Sequence, residues 1–320
     1  MSKKRQPGCP SDDAASPFRS IEAFVVAARR RSLTAAADEL GLSLPALSRR
    51  IGVLEAHIGS PLLVRLPRGV EPTALGAAYA ADLAPAVTAL HRASDTARAA
   101  ARGHPDRQTV RISLIPTLAV TWLLPRMAAF HAANPAIAID LDGSAACVDL
   151  AAGDADLAIR LGQGRWRGTD ARPLMALDLQ PVCSPAWLAD HPAGLNEPRD
   201  LFRTVLLGPG HRPEFWPEWA RAQGLDTDAL PPVRTFDSLQ MLYEAAAQGL
   251  GVAIGIDRLV QPWITAGRLV RPIAGTVVSS RAFHLVMPAG AAARAPVGVV
   301  SDWLQAEARR GDRAARLAVS

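Results

Sequence analysis

One short segment, SLPALSRRIGVLE, combines small polar, apolar and basic side chains at positions that could bind DNA. The side chains near its start are those of Ser43, Leu44, Pro45, Ser48, Arg49 and Arg50. An arginine can hydrogen-bond to the edge of a guanine in the major groove, and it can also pair with a phosphate. An apolar side chain such as Leu44 can contact the methyl group of thymine. The chemistry that this segment offers is therefore non-covalent recognition of a nucleic acid.

Patterns typical of catalysis or metal binding are missing from the sequence. The seven histidines have no HExxH or HxH spacing, and the three cysteines have no CxxC spacing. Ser184 and Ser301 lack the Gly-x-Ser-x-Gly context of a hydrolase nucleophile. Gly162-Gln163-Gly164 is an isolated GxG without the third glycine or the lysine of a phosphate-binding loop. We therefore expect a protein that is not an enzyme and that needs neither a metal nor a cofactor.

Two predicted helices precede the DNA-binding segment and would position it. Ile21, Phe24, Val25 and Ala28 recur at helical spacing and predict an amphipathic first helix. Thr34 is predicted to cap a second helix, AAADEL, whose alanines let a neighbouring helix approach closely. The N-terminal region therefore begins with two helices that can pack on each other.

The segment itself predicts a third helix. Gly41 can end the second helix in a left-handed conformation, and Ser43 can cap the third. Pro45 falls in the first turn, where its missing N–H costs little. The residues predicted to face the core are Leu47, Ile51 and Leu54. Two short helices around a glycine turn, with serine and arginine exposed on the second, are typical of a helix-turn-helix. The alternative is a helical hairpin whose arginines are only solvated.

A basic hairpin is predicted directly after the third helix. The sequence GSPLLVRLPRGVEPTALG contains two short extended pieces on either side of Pro67-Arg68-Gly69. This arrangement is typical of the wing of a winged helix-turn-helix. Arg65 and Arg68 would then bind phosphates, which position a protein on DNA without specifying sequence.

The charge distribution indicates a basic module joined to a neutral one. The chain has 320 residues, is 49% hydrophobic and has a net charge of +5. Residues 1–105 contain 14 Lys/Arg against 9 Asp/Glu, whereas the rest of the chain contains 21 of each. A basic N-terminal part favours binding to a polyanion. No apolar run approaches the roughly 18 residues of a membrane span, and no signal peptide is evident, so we expect a cytoplasmic protein.

An alanine-rich stretch runs from residue 74 to about residue 102. Its apolar residues repeat every three to four positions and form one seam: Leu75, Tyr79, Leu83, Val87 and Leu90. This seam predicts a long helix that pairs with its copy in a dimer, although it could instead pack within its own domain. Pro85 is expected to bend the helix. Dimerisation would place two DNA-binding helices about one turn of DNA apart.

The remaining two thirds of the chain alternate between predicted strands and helices. TVRISLI, AIAIDLDG, DLAIRLG and LQPVCSP predict strands, and PTLAVTWLLPRMAAFHAANP predicts a helix between the first two. FDSLQMLYEAAAQGLGVAIGI predicts a helix, a glycine turn and a buried strand. This order is typical of βαβ units with a parallel sheet, so the predicted fold class is α/β.

Ligands of such sheets bind beyond the carboxyl ends of strands, close to helix N-termini. Two segments have this position: Pro116, Thr117 and Leu118 in one, Asp237 and Ser238 in the other. Thr117 and Ser238 could cap their helices and also face a ligand. Arg160 could neutralise an anionic ligand or could form a structural ion pair. Gly162 begins the predicted loop two residues further on and completes the candidate set.

The N-terminal part resembles the LysR-type transcriptional regulators. The residues that carry this resemblance are Ala35-Ala36-Ala37, Leu40, PALSRRIGVLE, Gly59, Leu62, Arg65, Arg68-Gly69, Thr73 and Gly76. The neutral part is similar to the effector-binding half of the same family, in the branch of the glycine-cleavage activator and the β-lactamase regulator. The matching segments are WLLPR, AGDADLAIRLGQGRW, PVCSPAWL, FDSLQMLYEAAAQGLGVAIG, GRLVRP and DWL. The resemblance covers residues 17 to 305 of the chain.

The resemblance implies a winged helix-turn-helix, a long linker helix, and a two-lobed α/β effector domain like a periplasmic binding protein. The expected boundaries are a flexible basic tail at 1–16, the DNA-binding domain at 17–76, the linker and dimerisation helix at 77–106, the effector domain at 107–310 and a flexible tail at 311–320. The first lobe would contain 107–178 and 275–310, and the second lobe 179–274. Phe283 matches an aromatic position near the pocket of the resembled branch.

The function that these features favour is regulation of transcription in response to a small molecule. The expected partners are double-stranded operator DNA, a small anionic or zwitterionic effector between the lobes, further copies of the chain in a homodimer or homotetramer, and RNA polymerase. The residues expected to contact DNA are Thr34, Ser43, Leu44, Pro45, Ser48, Arg49, Arg50, Arg65 and Arg68. The alternative is a small-molecule-binding protein whose N-terminal helices serve only for dimerisation. An enzyme with an appended DNA-binding module is disfavoured by the missing catalytic motifs.

Overall fold

A computed structural model describes residues 17–67, 69–101, 108–143, 150, 153–191, 195 and 197–317. The chain forms two compact units. The first contains the described residues up to 97, and the second contains an eight-stranded sheet with its helices. No helix in these ranges has the length and the apolar character that a membrane crossing requires.

Three helices begin the first unit: α1 (Pro17–Arg30), α2 (Leu33–Glu39) and α3 (Leu44–Ile58). Their apolar faces form one core, which includes Phe24, Ala36, Leu47, Ile51 and Leu54. The predicted buried face of the third helix is therefore confirmed. Burial of small alanines on α2 lets the neighbouring helices approach it closely.

The start of α3 follows from local sequence signals, as predicted. The chain turns into the helix after Gly41, which has a φ of 62° that favours glycine. The hydroxyl of Ser43 then accepts a hydrogen bond from the backbone N–H of Ala46 at 3.4 Å. Pro45 lies in the first turn of the helix. The cap and the proline together fix the end of α3 that is expected to meet DNA.

The predicted cap of α2 is wrong by two residues. Ser32, and not Thr34, has the extended backbone of a capping residue, and its hydroxyl accepts from the N–H of Ala35 at 3.3 Å. The helix starts immediately afterwards at Leu33, so Thr34 is already inside the first turn. Its exposed side chain is consequently free of the capping role.

A two-stranded hairpin follows, with β1 (Leu63–Leu66) antiparallel to β2 (Gly69–Pro72). The predicted wing is thus confirmed as a hairpin. It is attached to the end of α1, because the N–H of Val70 donates to the carbonyl oxygen of Arg31 at 3.0 Å. A Cβ atom on Gly69 would lie 2.5 Å from that oxygen, so only glycine permits this close approach.

Helix α4 (Ala74–Ala101) is the long helix that the alanine-rich stretch predicts. Tyr79 and Leu83 pack against the core of the first unit, and the ring of Tyr79 stacks on Phe24 with 6.0 Å between centroids. Leu75 and Leu90 remain 47% and 44% exposed. The predicted seam is therefore divided: two of its members stabilise the unit itself, and two others face outward.

The sheet of the second unit contains β3 (Gln108–Ser113), β4 (Ile137–Asp142), β5 (Leu157–Gly162), β6 (Thr169–Val182), β7 (Leu206–Pro209), β8 (Val233–Phe236), β9 (Val252–Ile256) and β10 (Val277–Pro288). Their order is β4-β3-β5-β10-β6-β9-β7-β8. β3 is parallel to β4 and β5, and β7 is parallel to β8 and β9. We call the first group the first lobe and the second group the second lobe. The antiparallel strands β6 and β10 lie between them, so the predicted α/β class is confirmed with a mixed sheet.

Helices cover this sheet: α5 (Pro116–Leu118), a π-helical segment (Ala119–Leu123), α6 (Leu124–Ala133), α7 (Pro185–Ala189), α8 (Phe215–Ala222), α9 (Leu239–Ala247), α10 (Asp257–Thr265) and α11 (Ala295–Leu317). Short 3-10 turns occur at Pro198–Arg203, Thr227–Ala229 and Ala291–Ala293. Helix α11 continues to Leu317 and so includes residues 311–317, where the sequence predicts a flexible tail. Residues 1–16 and 318–320 lie outside the described residues.

A buried polar network marks the place where β6 leaves β10 and pairs with β9. Gln180 on β6 is 1% exposed. Its Nε2 donates to Oδ1 of Asp257 at 2.6 Å, and its Oε1 accepts from Nε of Arg271 at 2.7 Å. Arg271 also donates to the same Asp257 oxygen at 2.7 Å. The three side chains satisfy one another, as buried polar groups must.

Candidate DNA-binding surface and effector site

The first turns of α3 present the side chains that we predicted to meet DNA. Leu44, Pro45 and Arg49 are exposed, and Ser48 and Arg50 are half-buried. The opposite face of the helix is fixed in the core by fully or nearly fully buried leucine and isoleucine side chains. The surface that remains is therefore rigid in its backbone and available to a partner.

The arginines of this unit differ in what they bind. Arg29 and Arg30 both form ion pairs with Glu39, which ties α1 to α2. No described residue forms a hydrogen bond or an ion pair with the guanidinium of Arg49. An exposed guanidinium with no internal partner keeps all of its donors for a base edge or a phosphate. Arg49 thus has the geometry that a contact with DNA requires.

Three other predicted DNA contacts lie around α3. Thr34 is exposed on the first turn of α2, and Ser43 is exposed at the start of α3 although its hydroxyl serves as the cap. Arg65 is exposed on β1 of the wing. Arg68, at the tip of the wing, lies outside the described residues.

The carboxyl ends of the first-lobe strands carry a polar cluster. Ser113, the last residue of β3, is fully buried and faces Asp142, the last residue of β4. Nη2 of Arg160 donates to the Ser113 hydroxyl at 2.8 Å, and that hydroxyl donates to Oδ2 of Asp142 at 3.4 Å. Arg160 therefore lies where the sequence predicted it, at a strand end. Ser113 was missed, because only the strand register reveals its partners.

Thr117 lies in the turn that leaves β3, but it does not cap the helix. The capping residue is Ile115, which makes no side-chain cap, and Thr117 is the second residue of α5 with 2% exposure. The helix continues through the π-helical segment, where the Thr121 hydroxyl donates to the Thr117 carbonyl oxygen at 2.8 Å. Such wide turns occur often at functional sites. The predicted capping role of Thr117 is thus wrong, whereas its position at the strand end is as expected.

The second segment belongs to the other lobe and does have the predicted cap. Ser238 caps α9, because its hydroxyl accepts from the N–H of Met241 at 3.2 Å. Asp237 precedes it and is exposed. Helices α5 and α9 contact each other. The structure therefore brings the two predicted ligand segments, one from each lobe, next to each other.

Four further predicted residues have less polar surroundings. Leu118 and Phe283 are 0% and 2% exposed and belong to the main apolar core. Pro116 is exposed at the start of α5. A Cβ atom on Gly162 would lie 2.9 Å from the ring of Trp166, so the absent side chain makes room for that indole.

Two residues that sequence analysis missed also lie at a strand end. His211 and Arg212 follow β7, and the N–H of Gly210 donates to the Phe236 carbonyl oxygen at the end of β8. Burial, followed by the charge of Arg212, lowers the pKa of His211, although Asp237 raises it in part. Burial and the neighbouring Arg281 likewise lower the pKa of Arg212. No local motif marks these positions, and only the parallel pairing of β7 with β8 brings them to Asp237.

A separate depression of about 770 Å³ opens to solvent around the loop after β5. Its lining residues are Gly164, Arg165, Trp166, Arg167, Thr169, Asp170, Ala171 and Arg172, none of which is in the predicted effector set. Among the described residues, no group of histidine, cysteine and acidic side chains could hold a metal ion. The buried thiol of Cys183 has a pKa of about 12, because burial disfavours the thiolate.

A winged helix-turn-helix followed by a long helix and a two-lobed α/β unit defines a DNA-binding protein with a separate ligand-binding unit. Residues 18–77 match the family profile of the bacterial regulatory helix-turn-helix protein, lysR family, and residues 103–309 match the LysR substrate binding domain. The chain therefore belongs to the LysR-type transcriptional regulators, with a DNA-binding and an effector-binding domain.

Two relatives match nearly the whole chain. The HTH-type transcriptional activator AmpR of Rhodobacter capsulatus is 33% identical over 290 residues, which is 90% of this chain and 96% of the relative. The glycine cleavage system transcriptional activator of Escherichia coli K12 is 33% identical over 293 residues, 91% of this chain and 94% of the relative. The sequence resemblance to this branch of the family is thereby confirmed.

Solved structures support the same architecture. The effector domain of AmpR from Pseudomonas aeruginosa superposes with a TM-score of 0.59 and 32% identity, and it covers 66% of this chain and 100% of its own. The full-length Vibrio cholerae activator AphB has a TM-score of 0.58 and covers 90% of this chain and 98% of its own. At 21% identity, the second comparison shows a shared fold alone.

Proposed function

We propose that this regulator binds its operator through the start of α3 and the wing. Leu44, Ser48 and Arg49 would contact base edges, and Arg65 and Arg68 would bind phosphates. The observation that carries this assignment is the exposed Arg49, which has no partner among the described residues and stands on a helix whose other face is fixed in the core.

The effector would bind between the lobes, at the carboxyl ends of the parallel strands. Thr117 and Arg160 would contribute from the first lobe, and Asp237 and Ser238 from the second. The contact between α5 and α9 supports this location, because the two helices belong to different lobes and each contains candidate residues near its start. A ligand changes the regulator only if it binds one arrangement of the lobes better than another.

Self-association would proceed through α4. Leu75 and Leu90 are apolar, exposed and on the seam that the sequence predicts, so they are available to a second copy. Tyr79 and Leu83 would hold α4 in position for this interface, because they pack against the core of their own unit. A dimer built in this way would present two α3 helices to successive turns of DNA.

The test of the operator assignment is a gel-shift series with genomic fragments that the full-length protein selects. We expect Arg49→Ala to weaken operator binding by 1–3 kcal/mol, about 5- to 150-fold, and to relax the preference at one base pair. Arg68→Ala should instead weaken binding to all fragments and reduce the salt dependence by about one unit.

The matched control is Arg19→Ala, which removes an exposed positive charge from α1. It should leave operator binding within a factor of about two, the range of ordinary surface substitutions. If Arg49→Ala and Arg19→Ala bind the operator equally well while both stay folded, α3 does not contact bases. Failure of the wild-type protein to select any fragment would favour the alternative in which the N-terminal helices only dimerise.

A further inference from the structure

Arg212 connects the two lobes and is not part of the candidate set derived above from the sequence. It follows β7 of the second lobe, and its Nη2 donates to the carbonyl oxygen of Leu161, on β5 of the first lobe, at 3.4 Å. A bond of this length is at the weak end of the range. The side chain is still 32% exposed, so the guanidinium is open to a small molecule.

The positive charge around Arg212 is only partly neutralised. Arg281 forms an ion pair with Oε1 of Glu214, and Nη1 of Arg212 lies 3.9 Å from that same oxygen. Two guanidinium groups thus share one carboxylate, which leaves an excess of one positive charge among these three side chains. The lowered pKa of Arg212, caused by burial and then by Arg281, agrees with this excess.

The neighbours of Arg212 limit the kind of anion that fits. His211 has a lowered pKa and is therefore neutral near pH 7, so it adds a hydrogen-bonding group without a second charge. Asp237 is close enough to His211 for its charge to act on that imidazole. Its carboxylate would repel an ion with two negative charges and would attract a cationic group on the ligand.

We propose that Arg212 is the anion-binding residue of the effector site and that the effector is a small monocarboxylate, with or without an ammonium group. This inference depends on the proposed binding of the effector between the lobes. A guanidinium matches a carboxylate with two parallel hydrogen bonds, which are shorter and stronger than bonds to a neutral carbonyl. A ligand carboxylate would therefore displace the Leu161 oxygen and replace a weak contact between the lobes.

The exchange of partners also supplies a way to change the arrangement of the lobes. Without a ligand, Arg212 joins β7 to the Leu161 carbonyl of the other lobe. With a carboxylate bound, the same donors serve the ligand, and the direct contact between the lobes is lost. The two states differ in a specific contact, which is the condition for a ligand to shift a conformational equilibrium.

The experiment compares carboxylates with their carboxamides on the full-length protein. Acetate and glycine would be titrated beside acetamide and glycinamide, at constant ionic strength and pH 7, by calorimetry and by the shift in unfolding temperature. We expect the wild type to prefer each carboxylate over its carboxamide by at least tenfold. Arg212→Gln should weaken carboxylate binding about 10- to 150-fold, as loss of a charged hydrogen bond implies, and leave carboxamide binding unchanged.

The control is Arg234→Gln, which removes an exposed arginine from β8 in the same lobe and should keep the wild-type preference. A wild type without any preference for carboxylates, or an Arg212→Gln protein that keeps it, would overturn the proposal. Arg212→Lys decides the case if the glutamine variant does not fold. Lysine retains the positive charge but lacks the two parallel N–H donors of the guanidinium, so this variant should lose carboxylate affinity several-fold. Unchanged affinity would contradict the assignment.

Operator binding distinguishes this inference from the proposed function. Operator binding by the wild-type protein is measured beside the titrations, because the proposed DNA contacts belong to the first unit and Arg212 belongs to the second. A carboxylate preference that depends on Arg212 in a protein without operator binding would support the site and refute the proposed contacts with DNA.

Discussion

The two units of this regulator use arginine in opposite ways. In the first unit, Arg49 and Arg65 stand exposed on α3 and the wing, where no described residue pairs with them. In the second unit, Arg160 and Arg212 are half-buried and donate to groups about fifty residues away in the chain. Exposed arginines suit a long polyanion that releases counterions on binding, whereas enclosed arginines suit a small ligand in a less polar crevice. The two kinds of site therefore differ in how exposed their arginines are rather than in how many arginines they contain.

The two units also differ in what holds them together. The first depends on contacts close in sequence, such as the caps at Ser32 and Ser43, and on a few tight glycine positions. The second depends on side chains from distant strands and helices, such as the buried Gln180 with its partners Asp257 and Arg271. Substitutions that destabilise the two units should consequently act through different kinds of contact.

The largest effect is expected at Gly76, on the first turn of α4. A Cβ atom there would lie 2.0 Å from the carbonyl oxygen of Leu62, which is fully buried. Gly76→Ala should therefore separate α4 from the core and destabilise the first unit by about 3 kcal/mol, the upper part of the range for overpacking. Denaturant unfolding followed with operator binding would measure the loss.

A second glycine in the same unit is the matched control. Gly52 lies in the middle of α3, where a Cβ atom would meet no heavy atom within 4 Å. Gly52→Ala should stabilise the unit by up to about 1 kcal/mol, because alanine favours the helix. Equal unfolding midpoints for the two variants would mean that Gly76 does not fix α4. The transition of the second unit should be the same in both.

The next effect tests the polar network of the second unit. Gln180→Leu would remove two hydrogen bonds to charged groups and leave a buried apolar side chain beside Asp257 and Arg271. We expect a loss of about 2 kcal/mol in the free energy of unfolding of the second unit, with little change in operator binding. Gln261→Leu is the control, because Gln261 accepts from the same Arg271 at 3.0 Å but is exposed. If both variants lose equal stability, burial is not what gives the network its strength.

The comparison also explains which features the sequence could predict. The start of α3 was predictable because Gly41, Ser43 and Pro45 act within a few residues of one another, and the spacing of Leu47 and Ile51 sets the buried face. The βαβ order of the second unit was likewise visible in strand and helix patterns. Both kinds of signal are local, and the structure confirms them.

What the sequence could not supply is the set of contacts between distant segments. Ser113 and Arg212 acquire their partners only from strand register and from the approach of the two lobes. Tyr79 and Leu83 looked like members of a pairing seam, but the fold directs them into the core of their own unit. Thr117 does not cap α5, since the helix begins at Pro116, two residues earlier than a cap at Thr117 would require.

The smallest effect compares two hydroxyls at the start of α2. Ser32 accepts from the N–H of Ala35, whereas Thr34 is exposed inside the first turn. Ser32→Ala should lower the stability of the first unit by about 1 kcal/mol, the usual cost of losing a cap. Thr34→Ala should be neutral or slightly stabilising, because alanine is the better helix former.

The two variants should rank in the opposite order in operator binding. Loss of a phosphate contact from Thr34 would weaken operator binding, and Ser32→Ala would act only through stability. Thermal unfolding and gel shifts of both variants would test this. If Thr34→Ala loses as much stability as Ser32→Ala, then Thr34 is the capping residue and α2 begins later than Leu33.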